Sequence, residues 1–316
     1  MLMYRFPREE IVRKRGSFRQ YSSLEEISEG FILKPFGEDI FFLFEENELE
    51  DERYFVSNLP KVTSKEAYIE YANLALDDLR TGKLQKVVLS RIKSTDFDMS
   101  LAVDAFIRLE ATYPNAFVYL ISSPLTGTWI GATPEVLLKR SNKKVMIASL
   151  AGTKKSIDSS SWGTKECNEQ QLVTNYIVEV LGGLEAKNLK INGPKELIAG
   201  PVKHLFSEIT ADIEVTTPDL INMMHPTPAV AGLPKKKAID FIHVNETHNR
   251  FLYSGVIVFY SEKSANLYVN LRCAQLAENK AFLYVGGGLT NESNVEEEWD
   301  ETENKARTLE KILHFE

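Results

Sequence analysis

The sequence predicts an α+β fold, a single domain with a large antiparallel sheet component. Residues 117–153 alternate short apolar runs with turn residues at hairpin distances, and residues 253–286 repeat this pattern. Helical periodicity is confined to separate segments, and the chain has no internal repeats, low-complexity tracts or Gly/Ser linkers. We therefore predict one domain over residues 1–316, with a short N-terminal sheet portion (1–60) and a motif-bearing portion (61–316).

Composition and common motifs exclude several classes of function. The chain has 316 residues, 43% of them hydrophobic, and a formal net charge of −8, so no general basic field attracts nucleic acid. Cys167 and Cys273 form no CxxC pair, which argues against a disulfide framework or a zinc knuckle. The charged segment 1–20 and the lack of an apolar run of about 18 residues predict no secretory signal, no membrane span and a cytoplasmic protein. Dinucleotide-binding, zinc-hydrolase and serine-hydrolase motifs are missing from the sequence.

The first third of the chain contains three predicted strands, one helix and one candidate residue. Apolar runs at 31–33 and 40–44 predict strands, and Ser64 to Gly82 predicts a helix that begins at an N-cap serine and ends at a glycine. The next strand, Lys86 to Ile92, is rich in β-branched residues but begins with a lysine. The Lys86 side chain either snorkels to water or points into a cleft.

A bend in the following β block presents a carboxylate. After a helix around 102–112, the predicted strands are 117–122, 128–131, 136–139 and 145–149. The bend Gly131-Ala-Thr-Pro-Glu135 places Glu135 between two of them, beside the later turn Ala151 to Thr153. Glu135 is either an ordinary turn residue or a candidate general acid, if desolvation raises its pKa.

The next helix, around 165–181, carries a carboxylate on its apolar stripe. Glu169 is in register with Val173 and Ile177, a costly position unless protonation, a basic partner or a metal neutralises the charge. Alternatively, Glu169 is exposed in the first turn, where the helix dipole favours it. A further helix at 218–224 leads into the proline-rich segment 225–234, which is either a rigid loop lining a pocket or a connector.

The last β block is predicted to be a meander of strands at 253–260, 266–275 and 281–286. Arg272 lies inside the middle strand. It is either an edge residue or a buried guanidinium that binds a carboxylate.

The stretch Tyr284 to Gly288 predicts a strand that ends in a glycine turn, followed by a helix at 295–313. Glycines let a backbone approach a ligand where a Cβ would intrude. Beside the apolar helix face, Glu298, Glu301 and Lys305 form either a solvated stripe with a Glu301–Lys305 pair or part of a site for a metal-bound anion. Two carboxylates, Glu169 and Glu301, with substrate oxygens and water would suit magnesium.

The segments that carry a family resemblance occur in order along the chain. They are Lys86-Val-Val-Leu-Ser-Arg91, Gly131-Ala-Thr-Pro-Glu135, Leu150-Ala-Gly-Thr153, Glu169-Gln-Gln-Leu-Val173, His225-Pro-Thr-Pro-Ala-Val-Ala-Gly-Leu-Pro234, Tyr253-Ser-Gly255, Leu271-Arg272-Cys273, Gly286-Gly-Gly288 and Glu298-Trp-Asp-Glu-Thr-Glu-Asn-Lys305. Together they resemble the chorismate-utilising enzymes, a family that includes isochorismate, salicylate, anthranilate and aminodeoxychorismate synthases.

The resemblance implies a fold and a cofactor. The family fold, that of anthranilate synthase component I, has two stacked antiparallel β-sheets with helices outside and the active site in the cleft. The implied cofactor is Mg²⁺, with Glu169 and Glu301 as ligands and Glu298 contributing through a water or as a close neighbour. The ion would hold the ring carboxylate of chorismate.

The resemblance also implies which residues bind the rest of the substrate. Arg272 and Tyr253 match positions that face the enolpyruvyl carboxylate in relatives. Lys305 and the backbone around Gly152 and Gly286 would complete the anion site.

Three positions resemble the isochorismate synthase branch. Lys86 stands where amine-using relatives carry glutamine, Ala151 stands where the aminodeoxychorismate branch carries a lysine, and Ala229, in the substrate-binding loop, stands where lyase-type relatives carry threonine. We therefore predict an isomerase that converts chorismate to isochorismate, with Lys86 activating water for attack at C2 and Glu135 protonating the hydroxyl that leaves C4.

Several alternatives and partner predictions accompany this assignment. The alternatives are a salicylate synthase, an anthranilate synthase component I and a catalytically silent chorismate-binding module. We expect chorismate as the small-molecule partner, no glutamine amidotransferase subunit, and a monomer that serves menaquinone or siderophore biosynthesis.

Overall fold

The computed structural model describes residues 1–48, 54–56, 58–199, 202–261 and 263–314. These residues form an eight-stranded sheet and a nine-stranded sheet, and their paired strands are antiparallel. The strands in chain order are β1 (Leu2–Arg5), β2 (Val12–Lys14), β3 (Gly16–Tyr21), β4 (Gly30–Lys34), β5 (Phe41–Glu46), β6 (Lys86–Asp96), β7 (Phe117–Ser123), β8 (Gly127–Thr133), β9 (Val136–Ser141), β10 (Lys144–Lys155), β11 (Lys187–Ala199), β12 (Val202–Asp212), β13 (Gly232–Leu233), β14 (Val256–Ser261), β15 (Ser264–Val269), β16 (Cys273–Ala277) and β17 (Lys280–Leu289).

Five of the six α-helices in the described residues begin and end close to the predicted positions. The six are α1 (Lys65–Arg80), α2 (Ala102–Thr112), α3 (Thr164–Gly183), α4 (Thr217–Met224), α5 (Lys235–Asn245) and α6 (Val295–Leu313), and α5 was not predicted. Helix α1 shows why the prediction works, because Ser64 caps its first turn by accepting a hydrogen bond from the Ala67 amide at 3.2 Å. In the part of the chain described, no helix is both long and apolar enough to cross a membrane.

The two sheets stack face to face around an aromatic core. The first sheet has the order β13-β6-β17-β16-β8-β7-β1-β2, and the second has the order β11-β12-β10-β9-β15-β14-β4-β5-β3. Phe117 of β7 stacks on Tyr268 of β15 with ring centroids 4.7 Å apart, and Trp129 of β8 lies in the same buried cluster.

Helices cover the outer faces of this sandwich. Helices α3 and α4 pack on the second sheet, and α2 and α6 pack on the first. Helices α1 and α5 pack beside β6. The predicted two-sheet α+β fold is therefore confirmed, while the single-domain assignment of residues 1–316 stays a prediction.

The predicted hairpins and meander were wrong where the chain crosses from one sheet to the other. Strand β8 belongs to the first sheet and β9 to the second, so Pro134 and Glu135 form a crossing rather than a hairpin turn. The predicted strand 266–275 is likewise two strands, β15 and β16, in different sheets. Alternation of apolar residues continues through both crossings, so the sequence pattern does not mark them. Both crossings place a candidate residue, Glu135 or Arg272, between the sheets.

The three glycines near the C-terminus lie inside a strand and not in a turn. In β17, Gly286, Gly287 and Gly288 pair with Ser90, Leu89 and Val88 of β6. A glycine keeps its amide and carbonyl, so the backbone ladder continues although the side chains are missing.

Some elements carried no usable signal. The long hairpin of β11 and β12 was not predicted, because β11 mixes exposed polar and apolar residues and is interrupted by Gly193-Pro194. Helix α5 was also missed, since three consecutive lysines at its start hide the helical period. Strands β1 to β3 were covered only by the general expectation of a sheet in residues 1–60.

Candidate active site

A cleft with about 1090 Å³ of empty space, including its open mouth, lies between the two sheets and helices α3 and α6. It collects the predicted catalytic and substrate-binding residues together with two of the three predicted metal ligands, while the third, Glu298, lies next to it. The predicted residues lining it are Lys86, Glu135, Gly152, Glu169, Ala229, Tyr253, Arg272, Gly286, Glu301 and Lys305. Residues up to 219 positions apart in sequence therefore meet at one place, as expected for a binding site.

Gly287 and Gly288 of β17 form a floor on which acidic side chains rest. A Cβ on Gly288 would lie 2.9 Å from Oε1 of Glu169, and one on Gly287 would lie 3.2 Å from Oε2 of Glu298 and 3.7 Å from Oε1 of Glu301. No other residue type leaves this space free, so the glycines bring the three carboxylates onto one stretch of backbone.

Lys86 points into the cleft and is buried. Its side chain is 1% exposed, and its Nζ lies 2.8 Å from Oε1 of Glu169, whose side chain is 16% exposed. Of the alternatives for Lys86, the cleft orientation is therefore observed. Of those for Glu169, the structure shows neutralisation by a basic partner.

Helix α6 brings all three charged side chains of its stripe to the cleft or its edge. Lys305 lies 2.5 Å from Glu301, one turn earlier, and donates a hydrogen bond to the carbonyl of Gly286 at 2.8 Å. Glu298 is 3% exposed and accepts a hydrogen bond from the Ser293 hydroxyl at 2.8 Å. The Glu301–Lys305 pair is thus formed, and it faces the cleft rather than open solvent.

Glu135 is held at the crossing from β8 to β9 in a strongly desolvated position. Its amide donates to the Thr133 hydroxyl at 3.2 Å, and its carbonyl accepts from the Val269 amide at 3.0 Å. Burial raises the pKa of Glu135 to about 7, although the nearby cations Lys86 and Arg272 act to lower it. Near neutral pH this carboxyl group is therefore partly protonated. Its role as a general acid stays a prediction.

Arg272 does not lie within a strand, and that part of its prediction was wrong. It sits between β15 and β16 with φ of +50°, a left-handed conformation that is rare for arginine. Its side chain forms no hydrogen bond or ion pair with other residues that the structure describes. Burial lowers the pKa of Arg272, and the electrostatic partners that raise it are Tyr253, Tyr113, Glu301 and Glu135. The guanidinium is therefore available for an anion.

Tyr253 adds a hydroxyl to the wall beside Arg272. The Tyr253 ring is 4% exposed and stacks on Tyr284 with centroids 5.7 Å apart. A Cβ on Gly286 would lie 2.7 Å from the Tyr253 hydroxyl, so this glycine is also needed for the close approach. Burial raises the pKa of Tyr253, which keeps it a neutral hydrogen-bond donor.

Gly152 is fixed by a bulge in β10. It has φ of +70°, the pairing with β12 shifts between Ala151 and Thr153, and a Cβ would lie 3.0 Å from Cβ of Glu166. The Gly152 carbonyl lies 3.3 Å from Nδ1 of His204.

Two ionisable residues that line the cleft, Glu166 and His204, were not predicted from the sequence. Burial lowers the pKa of His204 to about 4, so its imidazole is neutral at physiological pH. The only sequence signal for Glu166 was its position one turn before Glu169 in α3. His204 lies in a strand whose pairing cannot be read from the sequence, so it carried no such signal.

The loop that carries Ala229 is tied to the strand that carries Lys86. Arg250 donates hydrogen bonds to the Val230 carbonyl at 2.9 Å and to the Val88 carbonyl at 2.6 Å. Glu246, also buried, holds the guanidinium of Arg250 at 2.5 Å. The loop 225–234 therefore lines the pocket and is not a mere connector.

The residues present fit a hard cation whose coordination is completed by other oxygens. Among the residues described, no three His, Cys, Asp or Glu side chains converge closely enough to hold a metal alone. Glu169 and Glu301 face the same cleft on either side of the glycine floor, where a Cβ would fill the available space. Magnesium is typically bound by one or two carboxylates plus substrate oxygens and water, which matches this set.

A family model described as "Chorismate binding enzyme" matches residues 38–314. The chain belongs to the chorismate-binding enzyme family. This family assignment confirms the resemblance found in the motifs.

Named relatives of this chorismate-binding enzyme include two from Escherichia coli K12. It is 29% identical over 266 residues to isochorismate synthase MenF, covering 80% of this chain and 61% of the relative. It is 31% identical over 246 residues to isochorismate synthase EntC, covering 72% of this chain and 62% of the relative. The chain thus spans about three fifths of the length of these relatives.

A solved structure supports the fold. The structure of Escherichia coli MenF, a menaquinone-specific isochorismate synthase, matches 99% of this chain and 88% of its own chain with a TM-score of 0.81 and 22% identity.

Proposed function

We propose that this chorismate-binding enzyme is an isochorismate synthase that converts chorismate to isochorismate with Mg²⁺. The observation that carries the proposal is the meeting in one cleft of Lys86 and of Glu135, whose pKa is raised to about 7. The same cleft holds two carboxylates and the Arg272 guanidinium, which forms no ion pair with another described residue. The relatives named isochorismate synthase support the same reaction.

Chorismate carries two carboxylates, and the cleft offers two places for them. The enolpyruvyl carboxylate binds the Arg272 guanidinium, with the Tyr253 hydroxyl as a second donor. The ring carboxylate lies over Gly286 to Gly288, near Lys305 and the proposed metal ligands Glu169 and Glu301. Glu298 accepts a hydrogen bond from Ser293 through one carboxylate oxygen, and its other oxygen lies toward Gly287, next to the proposed metal ligands.

The reaction exchanges one hydroxyl for another. For this step Lys86 is the free amine and not the ammonium ion, and it accepts a proton from a water whose oxygen bonds to ring C2. The two double bonds shift, and the C4–O bond breaks. Glu135 gives its proton to the departing hydroxyl, which leaves as water. Proton return from Lys86 to Glu135 through solvent resets the site, so the net reaction is an isomerisation. Each group is expected to contribute roughly 10²–10⁴-fold.

The residues around the acid and base suit this division of labour. Glu169, 2.8 Å from the Lys86 amine, holds that amine in the cleft. Desolvation raises the pKa of Glu135 to about 7, so about half of the enzyme carries the protonated carboxyl group at pH 7, the form that a general acid requires. A magnesium ion held by Glu169 and Glu301 would supply charge neutralisation and orientation of the ring carboxylate.

We further propose that the enzyme acts in the cytoplasm as a monomer without a glutamine amidotransferase subunit and serves menaquinone or siderophore biosynthesis. The proposal that no amidotransferase subunit is needed is supported by Lys86, which favours water over ammonia as the nucleophile. The alanines at 151 and 229 give the aminodeoxychorismate and salicylate synthase alternatives less support.

Product analysis tests the proposal. Purified protein is incubated with chorismate, with and without magnesium and ammonia, and the products are separated by chromatography. We expect a magnesium-dependent, ammonia-independent mixture of chorismate and isochorismate without pyruvate. Salicylate with pyruvate would identify a salicylate synthase, anthranilate would overturn the role of Lys86, and unchanged chorismate would identify a silent binding protein.

A further inference from the structure

A second cavity lies beside the active-site cleft and shares two wall residues with it. This side cavity has about 750 Å³ of empty space, including its opening, and Pro134 and Arg272 line both it and the cleft. Its other walls come from the end of α2 and the turn after it, from α6 and from β11. None of the predicted site residues except Arg272 lines it.

The lining of the side cavity is apolar with a polar rim. Its apolar walls include Leu109, Ala116, Ala132, Leu309 and the ring of Tyr113, while Thr112, Asn115 and Thr308 bring polar groups. Such a lining suits a flat apolar body that stacks on Tyr113 and carries a polar group at one end.

The cavity is preformed by a buried arginine. Arg5 is 1% exposed and donates hydrogen bonds to the carbonyls of Glu110 at 3.0 Å, Tyr113 at 2.9 Å and Pro114 at 2.8 Å. The Tyr113 hydroxyl in turn donates to the Thr308 carbonyl of α6 at 3.2 Å. The turn and the helix that form two of the walls are therefore held in place without a ligand.

Arg272 supplies the charge that selects the ligand. Its guanidinium forms no hydrogen bond or ion pair with other described side chains, and it interacts electrostatically with Tyr113 of the side cavity as well as with Tyr253 and Glu135 of the cleft. An unpaired guanidinium at the wall of an apolar cavity favours a planar carboxylate, which it can bind through two donors.

We propose that the side cavity is a second binding site for an aromatic monocarboxylate, whose carboxylate binds Arg272 and whose ring lies against Tyr113. Occupation of this site takes guanidinium donors away from the substrate. This consequence rests on the proposed function, in which Arg272 holds the enolpyruvyl carboxylate. Binding of this ligand therefore raises the apparent KM for chorismate. The ligand itself does not enter the proposed metal site.

The test uses 2-naphthoate as the probe and the full chain without chorismate, so its result does not depend on the proposed activity. Binding is measured by calorimetry for wild type, Thr308→Trp, which fills the side cavity, and Arg307→Trp, which places the same ring on the neighbouring exposed position outside it. We expect wild type and Arg307→Trp to bind alike, and Thr308→Trp to bind at least about ten-fold more weakly. The neutral analogue 2-naphthamide should also bind wild type at least about ten-fold more weakly than the acid.

A second pair of variants guards against misfolding of Thr308→Trp. Ile198 lines the side cavity and is 67% exposed, whereas Ile191, on the same strand, is 48% exposed and lies outside it. Ile198→Glu should weaken 2-naphthoate binding several-fold through charge repulsion, and Ile191→Glu should not. Equal binding by wild type, Thr308→Trp and Ile198→Glu, or equal binding of the acid and the amide, would overturn the proposal.

Kinetics then test the consequence. In wild type, 2-naphthoate should raise the apparent KM for chorismate at least several-fold with little change in kcat, and this effect should be lost in Thr308→Trp. Inhibition that persists in Thr308→Trp would place the probe in the cleft and contradict the second site.

Discussion

The proposed acid role of Glu135 predicts a descending limb in the pH profile of turnover. Burial raises the pKa of Glu135 from its ordinary value of 4.5 to about 7. A general acid works only in its protonated form, so the competent fraction is about one half at pH 7, about one tenth at pH 8 and about one hundredth at pH 9. The value of kcat/KM for chorismate should therefore fall about ten-fold for each pH unit above pH 8.

A variant that removes a positive charge from the cleft identifies which group causes the descending limb of the pH profile. Lys305 lowers the pKa of Glu135 electrostatically, so Lys305→Met should raise this pKa and move the limb to higher pH. Lys311→Met removes the same charge from an exposed position on α6 and serves as the control.

The assay is the initial rate of isochorismate formation, measured by chromatography between pH 6 and 9 with saturating magnesium. The position of the limb is the readout, because Lys305→Met also weakens substrate binding. A flat profile above pH 7, or a limb at the same pH in wild type and Lys305→Met, would refute the assignment of Glu135 as the acid.

Three further predictions follow from the same geometry. Lys86→Met should lower kcat by roughly 10²–10⁴-fold with an unchanged circular dichroism spectrum, and normal turnover would exclude Lys86 as the base. Glu135→Gln should unfold at a higher temperature than wild type at pH 8 but not at pH 4. The pKa of Glu135 is about 7 in the native state and 4.5 in the unfolded state, so the wild type loses up to about 3 kcal/mol of its free energy of unfolding as the pH rises from 4.5 to above 7. Equal melting temperatures of the two proteins at pH 8 would contradict the burial argument. Gly288→Ala should lower magnesium-dependent activity about 10²-fold, because its Cβ would lie 2.9 Å from Oε1 of Glu169. Gly182→Ala, with no atom within 4 Å of the added Cβ, should be neutral, so equal activity of the two alanine variants would show that the glycine floor is not required.

Local signals predicted the helices other than α5 and most strand positions. Ser64 and Gly82 marked both ends of α1, and the apolar spacing of residues 295–313 gave α6 in full. These features depend on neighbours within a few residues, so the sequence contains them directly.

Features that depend on pairing between distant segments were not predictable in this way. No local pattern near Glu135 or Arg272 shows that the chain passes from one sheet to the other there. The strands of both sheets have the same alternation of inward and outward side chains. The strand pairing of Gly286 to Gly288 depends on β6, almost two hundred residues earlier, so the local sequence predicts a turn there instead. His204 was missed for the same reason, since only its register with β10 brings it to the cleft.

The candidate site was predicted mainly through motifs, and the structure adds the contacts. Sequence left open whether Lys86 was exposed and what neutralised Glu169, whereas the structure shows each as the other's partner at 2.8 Å. The partner of a buried charge is set by tertiary packing, which no local pattern encodes.

The most direct test of the proposed reaction follows the oxygen of water. Chorismate is incubated with the enzyme and magnesium in H₂¹⁸O, and isochorismate formed at low conversion is analysed by mass spectrometry. Attack of a Lys86-activated water at C2 predicts one ¹⁸O atom in the new ring hydroxyl and none in the carboxylates. Isochorismate without the label, or no isochorismate at all, would contradict the account.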